Sequence, residues 1–396
     1  MESQKRNKTL FIDTEALATL AMLKEGIFFP VTKLMNATEA KEVDETSRFN
    51  GAYFPFSFIL APAGKRNETV LKSAQKGDKL HLIVDGALNG ELIVEDVFPI
   101  DKKKRVEMIF STSDKEHPGV IDIKNRLGNY AVSGSFKINF DSTREVLAQI
   151  AVAKEEVGAK KVTAMMLSAR PLHRAHERMI RSALESHDLV VLFLLKPYRE
   201  DIFHYEMRLK AVEHYINNYQ PKNRVLVVPF ENTYIFAGYN SIVLDSIAAK
   251  NFGCDSLTIG ENHSGIGIYC DQHSRNFYLE KFKEAQSTVH IVSEYVYCNV
   301  CRTLVSTKTC PHGSHHHIKY KAGFMQGLLS AGVLPPAVLI RKEISAIYLT
   351  ALFPNRFKEL RERYTNFFPS DGLIEEMTDE KFYVELMNLH QTSSLT

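Results

Sequence analysis

A chain of 396 residues with 44% hydrophobic content has the apolar material for more than one core, which excludes a disordered or fibrous class. Its 49 Lys+Arg against 47 Asp+Glu leave a formal charge of only +2, so nothing draws it generally towards nucleic acid or an anionic membrane surface. Any anion site must be local, and nucleic acid is a disfavoured partner.

The polar start, Met1 to Lys8, and the lack of a run of about 18 apolar residues argue against secretion and membrane insertion. Of the five cysteines, Cys298, Cys301 and Cys310 crowd together while Cys254 and Cys270 stand apart, a clustering that suits metal ligation better than a disulfide framework. A cytoplasmic, reducing location is expected.

Residues 1–145 read as a mostly β domain after one helical patch, Thr14 to Lys24. Lys79 to Val84 and Glu91 to Val97 look like paired strands, with turn chemistry at Gly86 and at Asn89-Gly90. The basic run Lys102-Lys103-Lys104-Arg105 beside them reads as a solvated strand edge that discourages aggregation.

From Lys160 the texture alternates strand and helix. Val162 to Leu167, Leu189 to Leu195, Arg224 to Phe230 and Ser256 to Gly260 are short β-rich runs. Between them, Leu209, Val212 and Ile216 share one helical face within Tyr205 to Tyr219, and Leu244, Ile247 and Ala248 share another within Tyr239 to Phe252. Repeated strand-helix units mean a parallel sheet covered on both faces, and ligands then bind at the carboxyl ends of the strands. The loops after Leu167 and Gly260 are therefore where chemistry is expected. This domain is expected over residues 146–335, followed by a small helical unit over 336–396 after Pro335-Pro336.

The first of those loops, Ser168-Ala169-Arg170-Pro171-Leu172, runs into His173-Arg174-Ala175-His176-Glu177 and a helix. Two histidines three apart at a helix start lie on one face, and the free N–H groups of that turn favour a phosphate. Such a pair can stabilise charge that develops when an oxygen nucleophile attacks an α-phosphorus. The second loop, Gly260-Glu261-Asn262-His263-Ser264-Gly265-Ile266-Gly267, sets three glycines around a histidine, so backbone can approach a ligand closely. Further on, Cys298-x-x-Cys301, then Cys310 and the tract His312 to His317, offer three thiolates and a choice of imidazoles for a closed tetrahedral zinc site. His312 and His315 are both candidates for the fourth ligand. With no open coordination position, the zinc would be structural.

Together these segments resemble the ATP sulfurylases, the sulfate adenylyltransferases of bacterial zinc-containing type. The resemblance rests on Phe29-Pro30-Val31-Thr32-Lys33-Leu34-Met35-Asn36, His117-Pro118-Gly119-Val120 and Val132-Ser133-Gly134 in the first part. In the second it rests on the HxxH segment, Asn251-Phe252-Gly253-Cys254 and the Gly260 to Gly267 loop. It implies a PUA-like N-terminal domain, a Rossmann-like nucleotidyltransferase domain, a small third domain and a homo-oligomer. It also implies ATP bound with Mg2+, sulfate as acceptor, and adenylyl sulfate and pyrophosphate as products. By position, His173, His176, Arg170 and Ser168 would carry the catalytic step, and Gly260, Glu261, Asn262, His263 and Val296 would contact the nucleotide. Ser264 and Ala169 would face the oxyanion.

The chain departs from the family at the oxyanion. Where the family reads Gln-Thr-Arg-Asn-Pro, this chain has Leu167-Ser168-Ala169-Arg170-Pro171, and Glu261 and Asn262 stand for the Arg-Asp of Gly-Arg-Asp-His-Ala-Gly. Ala237-Gly238-Tyr239-Asn240-Ser241 replaces Ala-Gly-Pro-Arg-Glu, and Lys321-Ala322-Gly323 replaces Ser-Gly-Thr. Arg170, Lys319 and Lys321 are the cations that could make up the loss. Two other readings remain at this stage: adenylyl transfer to a less anionic acceptor, with Glu261 binding an amine, and a non-catalytic relative that binds nucleotide or RNA. No GxxxxGK[ST] loop is present, so no fused kinase is expected.

Overall fold

A computed structural model of the protein describes residues 8–110, 118–198, 201–236, 240–261, 280–354, 356 and 378–390. β1 (Thr9–Phe11) leads into α1 (Thr14–Lys24), whose start is fixed by Asp13, the acceptor of the Ala16 N–H at 2.8 Å. Residues Ala16 to Leu23 of α1 are all buried, because this helix lies between the first domain and the second, touching β7 on one side and α6 and β10, all defined below, on the other. α2 (Ala37–Thr46) begins with a capping box, Asn36 and Glu39 each taking the other's backbone N–H. The short pair β2 (Arg48–Phe49) and β3 (Ala52–Tyr53), then β4 (Leu60–Pro62) and α3 (Lys65–Ser73), follow.

The expected strand pair forms as β5 (Lys79–Val84) and β6 (Ala87–Pro99). Asp85 and Gly86, both at positive φ, make the turn. Asn89-Gly90 does not turn the chain but lies inside β6, where the register skips Asn89 as a bulge. α4 (Lys102–Phe110), α5 (Pro118–Arg126) and β7 (Leu127–Ile138) complete the domain, and the sheet order is β1-β5-β6-β7-β4. Only β1 and β5 run parallel within it. In β7, Gly134 has φ 152°, and a Cβ there would lie 1.9 Å from the Ile93 carbonyl oxygen, so the β6 irregularity opposite admits glycine alone.

Among the described residues five helices, α1 to α5, pack about this sheet. One expectation for this domain needs correction. The basic run is the first turn of α4, not a strand edge, and Arg105 is buried: it donates to Ser57 Oγ at 2.9 Å and its guanidinium lies 5.0 Å from the Phe56 ring centre.

The second domain carries the parallel sheet. Its elements are α6 (Ser142–Val157), β8 (Val162–Leu167), α7 (Arg174–Leu184), β9 (Leu189–Pro197), α8 (Tyr205–Tyr219), β10 (Val225–Asn232), α9 (Ser241–Asn251), β11 (Ser256–Gly260) and β12 (Val289–Val292). The order is β10-β9-β8-β11-β12, every neighbour parallel. Strand order reverses between β8 and β11, and the crevice there is where this topology binds ligands. Side chains alternate across β9: Leu189, Val191 and Phe193 face the core shared with α6, α9 and the first domain, while Val190, Leu192 and Leu194 face α7 and α8.

Beyond the sheet lies a three-stranded unit of β13 (Tyr295–Cys298), β14 (Thr303–Ser306) and β15 (His317–Lys319), with β13 central. α10 (Ala322–Ser330), α11 (Lys342–Leu352) and α12 (Asp379–His390) follow, and α11 packs on α8 in the second core. The aromatic stretch Tyr364 to Phe368 lies outside the described residues.

Candidate functional site

The two histidines sit where β8 hands over to α7. His173 is the N-cap: its Nδ1 accepts the His176 backbone N–H at 3.4 Å, while the His176 Nδ1 accepts that of His173 at the same distance. The rings stack, centroids 3.5 Å apart and 16° from parallel, with Tyr320 against His173 at 5.3 Å. Burial holds His176 at about 4, and burial followed by the neighbouring His176 holds His173 well below the ordinary imidazole range. Both rings are therefore neutral at pH 7. Since each Nδ1 accepts, that hydrogen-bond pattern assigns each ring proton to Nε2. The turn thus presents two Nε2–H donors and the open N–H groups of a helix start, a set built to meet a phosphate without carrying net charge.

A cavity of about 470 Å³ opens in front of this turn, at the carboxyl ends of β8 and β11. One end is walled by Leu167, Ser168, His173, His176 and Met179; towards the zinc-motif unit it is walled by Ser293, Glu294, Tyr295 and Tyr320. Asn232 at the end of β10, Phe236 from the loop after it, and Ser241 and Asp245 of α9 also line it. Gly260 lies over Met179, with room for a Cβ only at van der Waals distance.

The other expected residues divide. Ser168 and Glu261 line the cavity with the histidines. Ala169 does not: it is fully buried at φ 48°, its carbonyl accepting from Tyr348 Oη at 2.9 Å. Arg170 points to Asp201, Nε to Oδ2 at 2.8 Å, and is not part of the cavity wall. Val296 is buried in β13, and it is the preceding Tyr295 that lines the cavity. Lys308 approaches Glu261 at 3.7 Å and Lys319 approaches Glu294 at 3.8 Å. Asn262, His263 and Ser264, with Gly238-Tyr239 and Cys270, lie outside the described residues.

Four groups of the zinc motif converge. His312 Nδ1 lies 3.6, 3.2 and 3.6 Å from the Sγ atoms of Cys298, Cys301 and Cys310, and Cys301 and Cys310 are 3.9 Å apart. Zinc bonds of about 2.3 Å to sulfur and about 2.0 Å to nitrogen give tetrahedron edges of roughly 3.5–3.8 Å, so the spacing fits that ion. His315 instead packs against the tilted His316 ring, centroids 4.0 Å apart, and folds over Gly313. Cys254 stays out of the cluster, a buried thiol pushed up to about 12 by burial.

Sequence reasoning missed several residues around the site. Glu177, buried one turn into α7, takes Arg341 Nε at 2.9 Å and Nη2 at 2.8 Å and tethers α7 to the start of α11. Arg174 adds an N–H to the Leu339 carbonyl, and Tyr320 Oη donates to the Val338 carbonyl at 2.7 Å. Arg208, fully buried, donates to the carbonyls of Ser168, Leu195 and Phe203 and so fixes the end of β8. Asp245 gave one readable signal, a lone carboxylate inside the apolar run Ile242 to Ala249.

The PUA-like domain family model matches residues 1–139, and the ATP-sulfurylase model matches residues 141–351. The sulfate adenylyltransferase of Psychrobacter sp. (strain PRwf-1) is 28% identical over 345 residues, covering 83% of this chain and 81% of its own. That of Chloroflexus aurantiacus (strain J-10-fl) is 27% identical over 352 residues, with 86% and 90% covered. That of Ignicoccus hospitalis is 28% identical over 358 residues, with 88% and 92% covered. Among solved structures, the hexameric APS kinase from Thiobacillus denitrificans superposes with a TM-score of 0.63 at 18% identity, a likeness of fold. It covers 86% of this chain, while this chain spans 62% of that one.

Proposed function

The chain belongs to the ATP-sulfurylase family, and from that premise we propose that it transfers the adenylyl group of Mg-ATP to sulfate and releases pyrophosphate. The observation that carries this reading is the stacked pair His173 and His176, two neutral Nε2–H donors at a helix start beside the crevice of a parallel sheet. A sulfate oxygen attacks the α-phosphorus, the bond from that phosphorus to the bridging oxygen breaks, and pyrophosphate leaves with the electron pair. The histidines and the α7 N–H groups hold the phosphate oxygens as charge builds on them. Ser168 lies beside them at the end of β8. Magnesium arrives with the nucleotide.

Cys298, Cys301, Cys310 and His312 would hold zinc as a closed structural ion that fixes β13 and, through Tyr295, one wall of the cavity.

One observation favours a second reading. Among the described residues the cavity wall has three carboxyls, Asp245, Glu261 and Glu294, and neither lysine nor arginine. An acceptor less anionic than sulfate would suit such a wall. Pyrophosphate release from Mg-ATP by the zinc-replete protein, with and without sulfate, decides between them. Sulfate-dependent turnover that disappears in His173→Ala is expected; release that ignores sulfate would overturn the assignment of the acceptor.

A further inference from the structure

The cavity has a problem for a sulfate dianion: no described cation lines it, and Arg170 is engaged by Asp201. The lining it shares with the histidines offers one unusual group. Asp245 is 7% exposed, lies on α9 among Ile242, Val243, Leu244 and Ile247, and lines the cavity. It has no hydrogen-bond or ion-pair partner among the described residues. A buried carboxyl without a partner cannot stay ionised cheaply, so it rests as the neutral acid, which is a hydrogen-bond donor.

We propose that Asp245 is the acceptor-side specificity residue, donating its carboxyl O–H to the incoming oxyanion where a cation would otherwise stand. Its place in the cavity fits this role. In the proposed reaction the histidine turn takes the phosphates, and the Ser293 to Tyr295 side adjoins the zinc-motif unit. Among the described residues the α9 side is what remains for the acceptor, with Ser241 one turn before Asp245 on the same helix. A neutral donor binds a proton-free oxyanion without an opposite charge, and the bound anion holds the proton on more firmly. Because the ionised form would repel the acceptor, binding must weaken once the proton is lost. Burial sets that point at about 8, and no neighbouring charge contributes to it.

The other described groups of the cavity lining do not mimic this behaviour. His173 and His176, from α7, are held below the ordinary imidazole range and are already neutral; the Tyr320 hydroxyl is raised well above the ordinary range, chiefly by burial. Glu261 and Glu294 stand opposite Lys308 and Lys319, and Tyr295 completes that side. β11, against which α9 packs, brings only Thr258, Ile259 and Gly260 to the cavity, and β10 brings Asn232.

The inference rests on sulfate being the acceptor, and the test separates the two. Sulfate is titrated calorimetrically into the full, zinc-replete chain saturated with a non-hydrolysable Mg-ATP analogue, from pH 6.5 to 9.5. The wild type, Asp245→Asn and Asp245→Ala are compared. The wild-type Kd is expected to be flat below about pH 8 and to rise towards tenfold per pH unit above it. Asp245→Asn, which keeps a neutral donor, should bind with a flat profile, and Asp245→Ala should bind about tenfold more weakly at pH 7 with nucleotide affinity unchanged. A wild type that binds no sulfate at any pH refutes the acceptor and this role with it. Sulfate binding with the same alkaline loss in Asp245→Asn refutes the role of Asp245 alone. So does tighter binding in Asp245→Ala, which would make the carboxyl a partner for a cationic acceptor.

Discussion

Replacing Arg341 with Met tests whether the C-terminal unit positions the histidine turn. Glu177 is 6% exposed at its side chain and Arg341 16%, and the pair is joined by contacts of 2.8 and 2.9 Å. Removing one partner of a buried pair costs about 3–5 kcal/mol, because the other charge is left uncompensated. Here Arg174 remains near Glu177 at 3.4 Å and the site is not fully closed, which lowers the figure to about 2–3 kcal/mol. Loss of the guanidinium 3.7 Å from the Tyr219 ring centre adds about 0.5 kcal/mol. With a urea slope of about 3 kcal/mol per M, the unfolding midpoint of Arg341→Met should fall by roughly 0.8–1.2 M. The double variant Glu177→Leu, Arg341→Met, which buries no lone charge, should regain at least about 1 kcal/mol of that loss. A single variant within about 0.5 kcal/mol of wild type, or a double variant worse than the sum of its parts, would refute the assignment of the pair as a buried tether.

The zinc ligands separate cleanly by substitution: His312→Ala should lose the metal, measured per chain by atomic emission, whereas His315→Ala should keep it, and the reverse result would reassign the fourth ligand. Acid stability should depend on His176. Its folded value of about 4 lies below the ordinary 6.5, so between those pH values the unfolded chain binds the extra proton and stability drops as pH falls. Melting temperatures of His176→Gln from pH 7 to 4.5 should therefore decline less steeply than those of the wild type, and parallel declines would show that this ring does not titrate on unfolding.

The parallel sheet was legible because its strands are short, apolar and separated by helix-length segments, so both periodicities point to one arrangement. The expected Ser256 to Gly260 strand is β11 to the residue. The first domain was less legible because its helices are short or buried all round. α1 stood out as an apolar patch, but the charges opening α4 concealed that Arg105 turns inward onto Phe56. At the site, the histidine turn could be read from spacing, since two side chains three apart at a helix start must meet. What could not be read is which long side chains turn away. Arg170, next in sequence to the cavity residues, is drawn off by Asp201 from the loop after β9, while Glu177 finds Arg341 from across the core. Asp245 lies between these cases. Its type and its apolar neighbours were visible in the sequence, and in a helix the pattern Ile-Val-Leu-Asp-Ser-Ile makes burial of a carboxyl unavoidable if the whole run is covered. Only the fold shows that the covering has a gap at Asp245, and that the gap opens on the same cavity as the two histidines. A burial cost that α9 packing alone does not require is therefore tied to the cavity, and the place to look for its compensation is whatever binds there.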